Sequence, residues 1–410
     1  MSSIVIMHGL PRARVSIGLT AVTLAMSPLA VLAQEAPRAA TGDPMQFDRS
    51  LVLDARVEDT ANVSIGDVDG DGHLDVVLVK GRHGQLENLL MRGDGRGGFD
   101  PARPLGSPAD RSYSGVLVDL DADGDLDIVV SNDRPDPKVA YLNDGRGNFS
   151  AGSTFGRPEW PTRHVRVADF NGDHFPDVVL ANRYGPRGGQ NYVCFGEDGG
   201  RFSEPCLGFS AESATTVTPA DFDGDGRTDL AVPHRDGGQS HIYLNEGATF
   251  ARRIAFGPPD AAIRSAEAAD LDGDGRLDLA AIDQRRGPVV LWGRGTASFE
   301  PAVPLGDSEA TPYAIAVADL DRDGVLDILI GNIEARPVAY FGTSDRGFLP
   351  VPFGDAGGVG YGFDTADVDG DGFVDIAMAR SGAPNMIYFG GPATAVGQGN
   401  GADALSARPE

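Results

Sequence analysis

Nine residues carry the densest chemistry in this sequence. The stretch DVDGDGHLD, from Asp67 to Asp75, sets carboxylates at its first, third, fifth and ninth positions: Asp67, Asp69, Asp71 and Asp75. Carboxylates crowded this closely repel one another unless a cation sits between them. Hard oxygen donors of this kind suit calcium better than zinc or copper. Gly72, at the sixth position, permits the sharp turn that wraps the oxygens round one ion, and the main-chain carbonyl of His73 is available at the seventh.

The same pattern returns six more times. It reads Asp119, Asp121, Asp123 and Asp127, then Asp169, Asn171, Asp173 and Asp177, then Asp221, Asp223, Asp225 and Asp229. It continues with Asp270, Asp272, Asp274 and Asp278, then Asp319, Asp321, Asp323 and Asp327, then Asp367, Asp369, Asp371 and Asp375. The seventh-position carbonyls of these copies belong to Asp125, Phe175, Arg227, Arg276, Val325 and Phe373. Asn171 is the one amide among the ligands, and the third loop is the weakest because His174 replaces the sixth-position glycine. An EF-hand is rejected: its twelfth position needs a bidentate Glu and its flanks need helices, whereas position twelve of the first loop is Leu78 inside an apolar run. A solvated Asp/Gly turn is the alternative for one copy. Complete repetition argues against it and for up to one calcium ion per repeat.

A second constellation lies away from these loops. An arginine falls downstream of every acidic loop, at Arg82, Arg134, Arg183, Arg235, Arg285, Arg336 and Arg380. Six residues ahead of the loops stand Tyr113, Arg163, Arg264, Tyr313 and Tyr361, with Ala61 and Thr215 in the other two copies, and Trp160 lies nearby. Guanidinium groups suit carboxylates and sulfates, and flat rings suit sugar faces. This set is expected to form a basic and aromatic binding rim, unless the arginines pair with neighbours such as Asp133, Asp236 and Glu334.

The elements that must position these residues repeat with them. Loop starts are 52, 50, 52, 49, 49 and 48 residues apart, so each period is one supersecondary unit in a stack or ring. A short stretch with small residues precedes the loop, and a continuous apolar run such as DVVLV, DIVVS or DILIG follows it. Such runs read as strands buried on both faces. A third strand then leads into a Gly-rich hairpin turn, as in AYLNDGRGNF, and a phenylalanine opens a fourth. Four antiparallel strands per repeat predict an all-β, seven-bladed β-propeller. The phenylalanines at 99, 149, 202, 250, 299 and 348 precede the next loop by 19 or 20 residues, and Phe47 precedes Asp67 by 20. The seventh unit stops after its third strand. The N-terminal strand is therefore expected to join the last blade and close the ring over residues 45–391.

Composition sets the bounds. With 56 glycines and 28 prolines in 410 residues, many turns and little helix are expected. Residues 1–33 read as a signal peptide, with Arg12 and Arg14 ahead of an apolar run that ends in VLA, cleaved after Ala33. Residues 34–44 read as a linker and 392–410 as a disordered tail. No later run reaches the roughly 18 apolar residues of a membrane span. An exported protein, periplasmic or secreted and monomeric, is expected. The formal charge of −26 becomes −28 once Arg12 and Arg14 are removed, which disfavours nucleic acid as a partner. Cys194 and Cys206 are expected to meet oxidising conditions and pair, although a simple hairpin alignment does not set them opposite.

The pattern D-x-D-x-D-G-x-x-D before a strand, with N-D-G-x-G-x-F after it, resembles the FG-GAP or VCBS repeat family, the propeller repeat also found in integrin α chains. The resemblance covers nearly all of the chain after the leader. It implies calcium in loops between first and second strands on one face of the ring, and functions in adhesion and in ligand or glycan binding. Some members resemble polysaccharide lyases. The expected function is an exported calcium-binding module taking a glycan or protein ligand, anionic glycans in particular, on the face opposite the calcium loops. The alternatives are a lyase-like enzyme on the same propeller and a protein-docking platform of the cell envelope. No catalytic residue is assigned: no nucleophile elbow, phosphate loop or zinc spacing accompanies the histidines. The RGD at Arg92–Asp94 falls in a hairpin turn and is discounted.

Overall fold

The computed structural model describes residues 45–392 apart from 107, 186–187 and 307–308. The leader, the linker and the tail beyond residue 392 lie outside them. Every regular element among the described residues is a strand. Five sheets have four antiparallel strands each, and one has eight. Two pairs of two-residue or three-residue strands extend the hairpins at Gly196–Phe202 and Gly293–Phe299. The arrangement is a β-propeller of four-stranded blades.

The apolar runs explain the packing. In Asp75–Lys80 every residue is buried. Side chains alternate between the faces of a strand, so Val76 and Leu78 enter one core cluster while Val77 and Val79 enter another with Leu117, Ile128 and Val130 of the following sheet. Each sheet is therefore apolar on both sides and is stable only between neighbours. At about 25 cal/mol per Å2 of apolar area, this burial between sheets is the dominant favourable contribution to folding.

An aspartate staples each second strand to the elements on either side. Asp75 takes the backbone N–H of Val68 at 3.0 Å on one oxygen and that of Gly93 at 2.9 Å on the other. Asp127 does the same with Leu120 and Asn143, and Asp327 with Leu320 and Gly342. The equivalent bonds form at Asp177, Asp229, Asp278 and Asp375. The ninth position of the acidic loop thus fastens loop, second strand and hairpin together.

The first strand of most sheets, the one nearest the axis, carries a β-bulge near its start. The register skips one residue at Ala61, Tyr113, Arg163, Arg264, Tyr313 and Tyr361. A bulge turns its side chain out of the regular alternation. These are the positions six residues ahead of the loops.

Cys194 and Cys206 form a disulfide. Val193 pairs with Leu207, which brings the next residues of the two strands opposite each other. The simple hairpin alignment failed because Gly196 pairs with Phe202, in a register offset from that of the strands below. The chain's two lysines are both buried. Lys80 donates to Asp54 at 2.6 Å and Glu58 at 2.7 Å, and Lys138 donates to the carbonyls of Arg157 at 3.0 Å and Trp160 at 2.9 Å.

Candidate functional site

The acidic loops wind as their glycines require. The fourth and sixth positions both adopt positive φ, and Ala122, His174 and Arg322 do so without glycine's freedom, a strain of about 1 kcal/mol each. In the first loop Asp67 accepts the N–H groups of Gly70 and Gly72, and Asp71 accepts that of His73. Among the described residues, three carboxylates bring one oxygen each within 4.8 Å of one another in at least five loops, including Asp67–Asp69–Asp71, Asp119–Asp121–Asp127 and Asp319–Asp321–Asp327.

These clusters fit a cation on a further observation. Oδ1 of Asp69, Asp119, Asp121 and Asp319 is buried without a hydrogen-bond partner. A buried carboxylate oxygen left bare is costly, and a divalent ion among them would satisfy it. Burial foremost, then neighbouring carboxylates, raises Asp121 and Asp321 above the ordinary range. Burial likewise pushes Asp127 up to about 6 and Asp327 up to about 8 despite their backbone donors. Arginines supply part of the missing charge: Arg92 reaches Asp69 at 3.0 Å, Arg346 reaches Asp272 at 2.6 Å, and Arg49 pairs with Asp369. In the third loop Asn171 donates to Asp173 at 2.8 Å, so its amide group is partly spent within the loop. The RGD turn is spent too, since Asp94 accepts the N–H groups of Arg96 and Gly98.

At the bulged ends of the inner strands a cavity of about 170 Å3 opens. Arg82, Arg183, Arg235, Tyr113, Tyr313 and Tyr361 line it, as do Arg163 and Arg264. Guanidinium groups stack on rings: Arg82 on Tyr361 at 4.4 Å, Arg163 on Tyr113 at 4.4 Å and Arg264 on Tyr313 at 3.3 Å. The rings of Tyr313 and Tyr361 pack against each other at a tilt, with centroids 5.1 Å apart. Burial works against ionising Tyr313, yet Arg264, Arg82 and Arg235 together draw its hydroxyl below the usual range. Burial, then Tyr313, raises that of Tyr361. Arg235 is pushed down to about 10 by burial and by the like charges of Arg264 and Arg183.

The other rim candidates are placed elsewhere. Arg285 donates to the Asp260 carbonyl at 2.6 Å, and Arg336 to those of Gly354 at 3.0 Å and Pro352 at 2.9 Å. Arg380 is buried against Asp355 and Tyr388. Arg134 precedes a cis proline, with its N–H on the Asp133 carboxylate at 2.9 Å. Trp160 stacks on Tyr192 with centroids 3.7 Å apart, which occupies one face of its ring. Sequence reasoning missed His83, His164, Thr216 and Ser265 as lining residues. The last three directly follow the bulge position or its equivalent, so the repeat alignment held that signal.

Fold and loops together define a β-propeller of acidic-loop repeats. A profile of the FG-GAP-like repeat matches residues 67–130, 119–180, 221–281 and 270–330, more than half of the chain, and the chain belongs to this family. No curated protein matches its sequence. Among solved structures it is similar to BBS1N in complex with ARL6DN, at 10% identity and a TM-score of 0.58, covering 86% of this chain and 98% of that one. A lectin of Agrocybe aegerita that recognises non-reducing terminal N-acetylglucosamine matches at 19% identity and a TM-score of 0.53, over 77% of this chain and 84% of that one. The Dos1 propeller matches at 11% identity and a TM-score of 0.52, over 84% and 95%. At these identities the likeness is one of fold.

Proposed function

We propose that the chain is an exported, calcium-loaded propeller of seven blades whose arginine and tyrosine mouth binds anionic glycans. The observation that carries the binding reading is the cavity itself. Five arginines and three tyrosines converge there in a protein whose formal charge is −26.

The blade count and closure draw support from three features. The eight-stranded sheet divides into two four-stranded units that share the single pairing of Ile333 with Val359. Gln46–Asp54 pairs with Asn385–Gly391, with Leu51 opposite Ile387. One core cluster joins Ala377, Ile387 and Phe389 to Val63, Val76 and Leu89, so the last unit packs on the first. Export is in keeping with the disulfide and with the absence of a helix long and apolar enough to cross a membrane among the described residues. Calcium would be held by the clustered aspartates, supplying positive charge that the loops lack and stiffening the edge of each blade.

The test is a screen of sulfated and uronate-bearing glycans against the mature chain in calcium and in EDTA. Calcium-dependent binding that Arg235→Ala abolishes is expected. Failure of every anionic glycan to bind would remove the reading. A second reading, an acid–base enzyme on anionic polysaccharides, is favoured by Tyr313, whose hydroxyl the arginines make easier to ionise. Appearance of an unsaturated, ultraviolet-absorbing sugar product, lost in Tyr313→Phe, would distinguish it.

A further inference from the structure

We infer that the cavity takes one hexose-sized sugar unit bearing two negative charges, and takes it end-on. This rests on the anionic-glycan reading for the location of the site but narrows the ligand by charge, size and direction of entry.

Charge comes from the pairing of the arginines. Arg163 lies 2.5 Å from Asp133, Arg183 lies 2.9 Å from Asp236 and Arg82 lies 3.5 Å from Asp59. Arg235 and Arg264 meet no carboxylate within salt-bridge distance among the described residues. Five guanidinium groups against three carboxylates leave two positive charges. Donors are also idle: Nε of Arg82, Arg183 and Arg235 and Nη1 of Arg264 are buried without partners. Arg264 is 6% exposed and is held in place by Nε on the Tyr313 carbonyl at 2.7 Å, so its free nitrogen is positioned in advance. Charged donors left bare in a buried site are expensive, and a dianion satisfies them.

Size and the sugar character come from the rest of the lining. A cavity of about 170 Å3 is several times a water's share of about 30 Å3 and exceeds what a bare oxyanion fills. Thr216 and Ser265, 3% and 2% exposed, each present a hydroxyl oxygen with no hydrogen-bond partner. Neutral donors and acceptors of this kind match sugar hydroxyls, and Tyr313 and Tyr361, with Arg264 and Arg82 stacked on their rings, complete the wall.

Direction of entry comes from what lies deeper. Three residues further along its strand than Arg163, about 10 Å away, Arg166 meets Glu267 at 2.8 Å. The strand Thr218–Ala220 lies between their two strands in chain order, so the pair links the first strands of two units that are not consecutive. Arg166 and Asp364 are buried and interact electrostatically at the same level. On this inference Arg166, Glu267 and Asp364 close the space beneath the cavity, so a polymer enters it by one end and does not thread it.

Calorimetry on the calcium-loaded chain tests this with glucose 6-phosphate, galacturonate, glucose, inorganic phosphate and oligosaccharides of increasing length that end in a 6-phosphorylated hexose. Glucose 6-phosphate is expected to bind one to one, about 10-fold or more tighter than singly charged galacturonate, with glucose undetectable. Arg235→Gln should weaken it about 10-fold to 100-fold while leaving thermal stability equal or higher, because a half-buried cation with no carboxylate partner is removed. Ser265→Ala should weaken glucose 6-phosphate but not inorganic phosphate, and Arg285→Gln, outside the cup, should change neither. The phosphate-ended oligosaccharides should bind one propeller per chain if the natural ligand is a glycan end. If they fail to bind while glucose 6-phosphate binds, the ligand is a free sugar phosphate and the glycan reading falls while the cup stands. Several propellers along one chain, or inorganic phosphate binding as tightly as glucose 6-phosphate, would overturn the inference.

Discussion

Replacing Asp121 by Asn should have opposite consequences with and without calcium. Oδ1 of Asp121 is buried with no partner, and burial followed by Asp123 and Asp119 disfavours its charge. Taking a dissociation constant of about 0.1 mM for an extracellular calcium module, 1 mM calcium stabilises the folded state by about 1.4 kcal/mol per site. Five aspartate clusters together then contribute about 7 kcal/mol. An unfolding entropy of about 2.1 cal/mol/K per residue over roughly 350 residues converts this to about 10 °C in Tm. Asp121→Asn should lower Tm by about 2 °C in 1 mM calcium and remove one ion from the titrated stoichiometry. In EDTA it should unfold at the same temperature as the parent or higher, because a repelling buried charge has gone. Scanning calorimetry of both proteins in both buffers reads all of this. A variant that loses as much stability in EDTA as in calcium would mean that Asp121 acts through the turn and not through a cation, and the metal argument would fail with it.

Other outcomes follow from the same structure. In EDTA, stability should fall as pH rises from about 4 to about 8. The buried carboxylates of Asp127, Asp177 and Asp327 titrate near 6, 7 and 8 when folded against about 4 when unfolded, so the folded state holds the extra protons in that window. Calcium should flatten the profile, and an EDTA profile that rises with pH would contradict the assignment. Reducing the disulfide, or replacing both Cys194 and Cys206 by Ala, should cost about 3 kcal/mol for a loop of this length, measured by denaturant midpoint under oxidising and reducing conditions. Deleting residues up to Ala55 removes the strand on Asn385–Gly391 and the Asp54 partner of buried Lys80. Light scattering should then detect association through the bared edge, and an unchanged monomer of unchanged stability would refute the closing role of that strand.

The strands, the loops and the family were legible in the chain itself, because each depends on local order. Alternation of buried valines, turn glycines and aspartates at fixed spacing repeats within every fifty residues, and a strand buried between two sheets needs no partner's identity to be recognised. What the sequence could not decide was direction. Seven arginines at equivalent positions look alike, yet Arg82, Arg183 and Arg235 face the cup while Arg285, Arg336 and Arg380 turn to local acceptors. Small differences in each connecting loop set which carbonyl or carboxylate is nearest. Likewise the one-residue bulge that swings Tyr113, Arg163, Arg264, Tyr313 and Tyr361 into the cavity exists only once a second strand supplies the register against which a residue is extra. The two uncompensated charges belong to the same class. Arg163 and Arg264 occupy equivalent places in their repeats, and only the three-dimensional neighbourhood gives Asp133 to one and no carboxylate to the other.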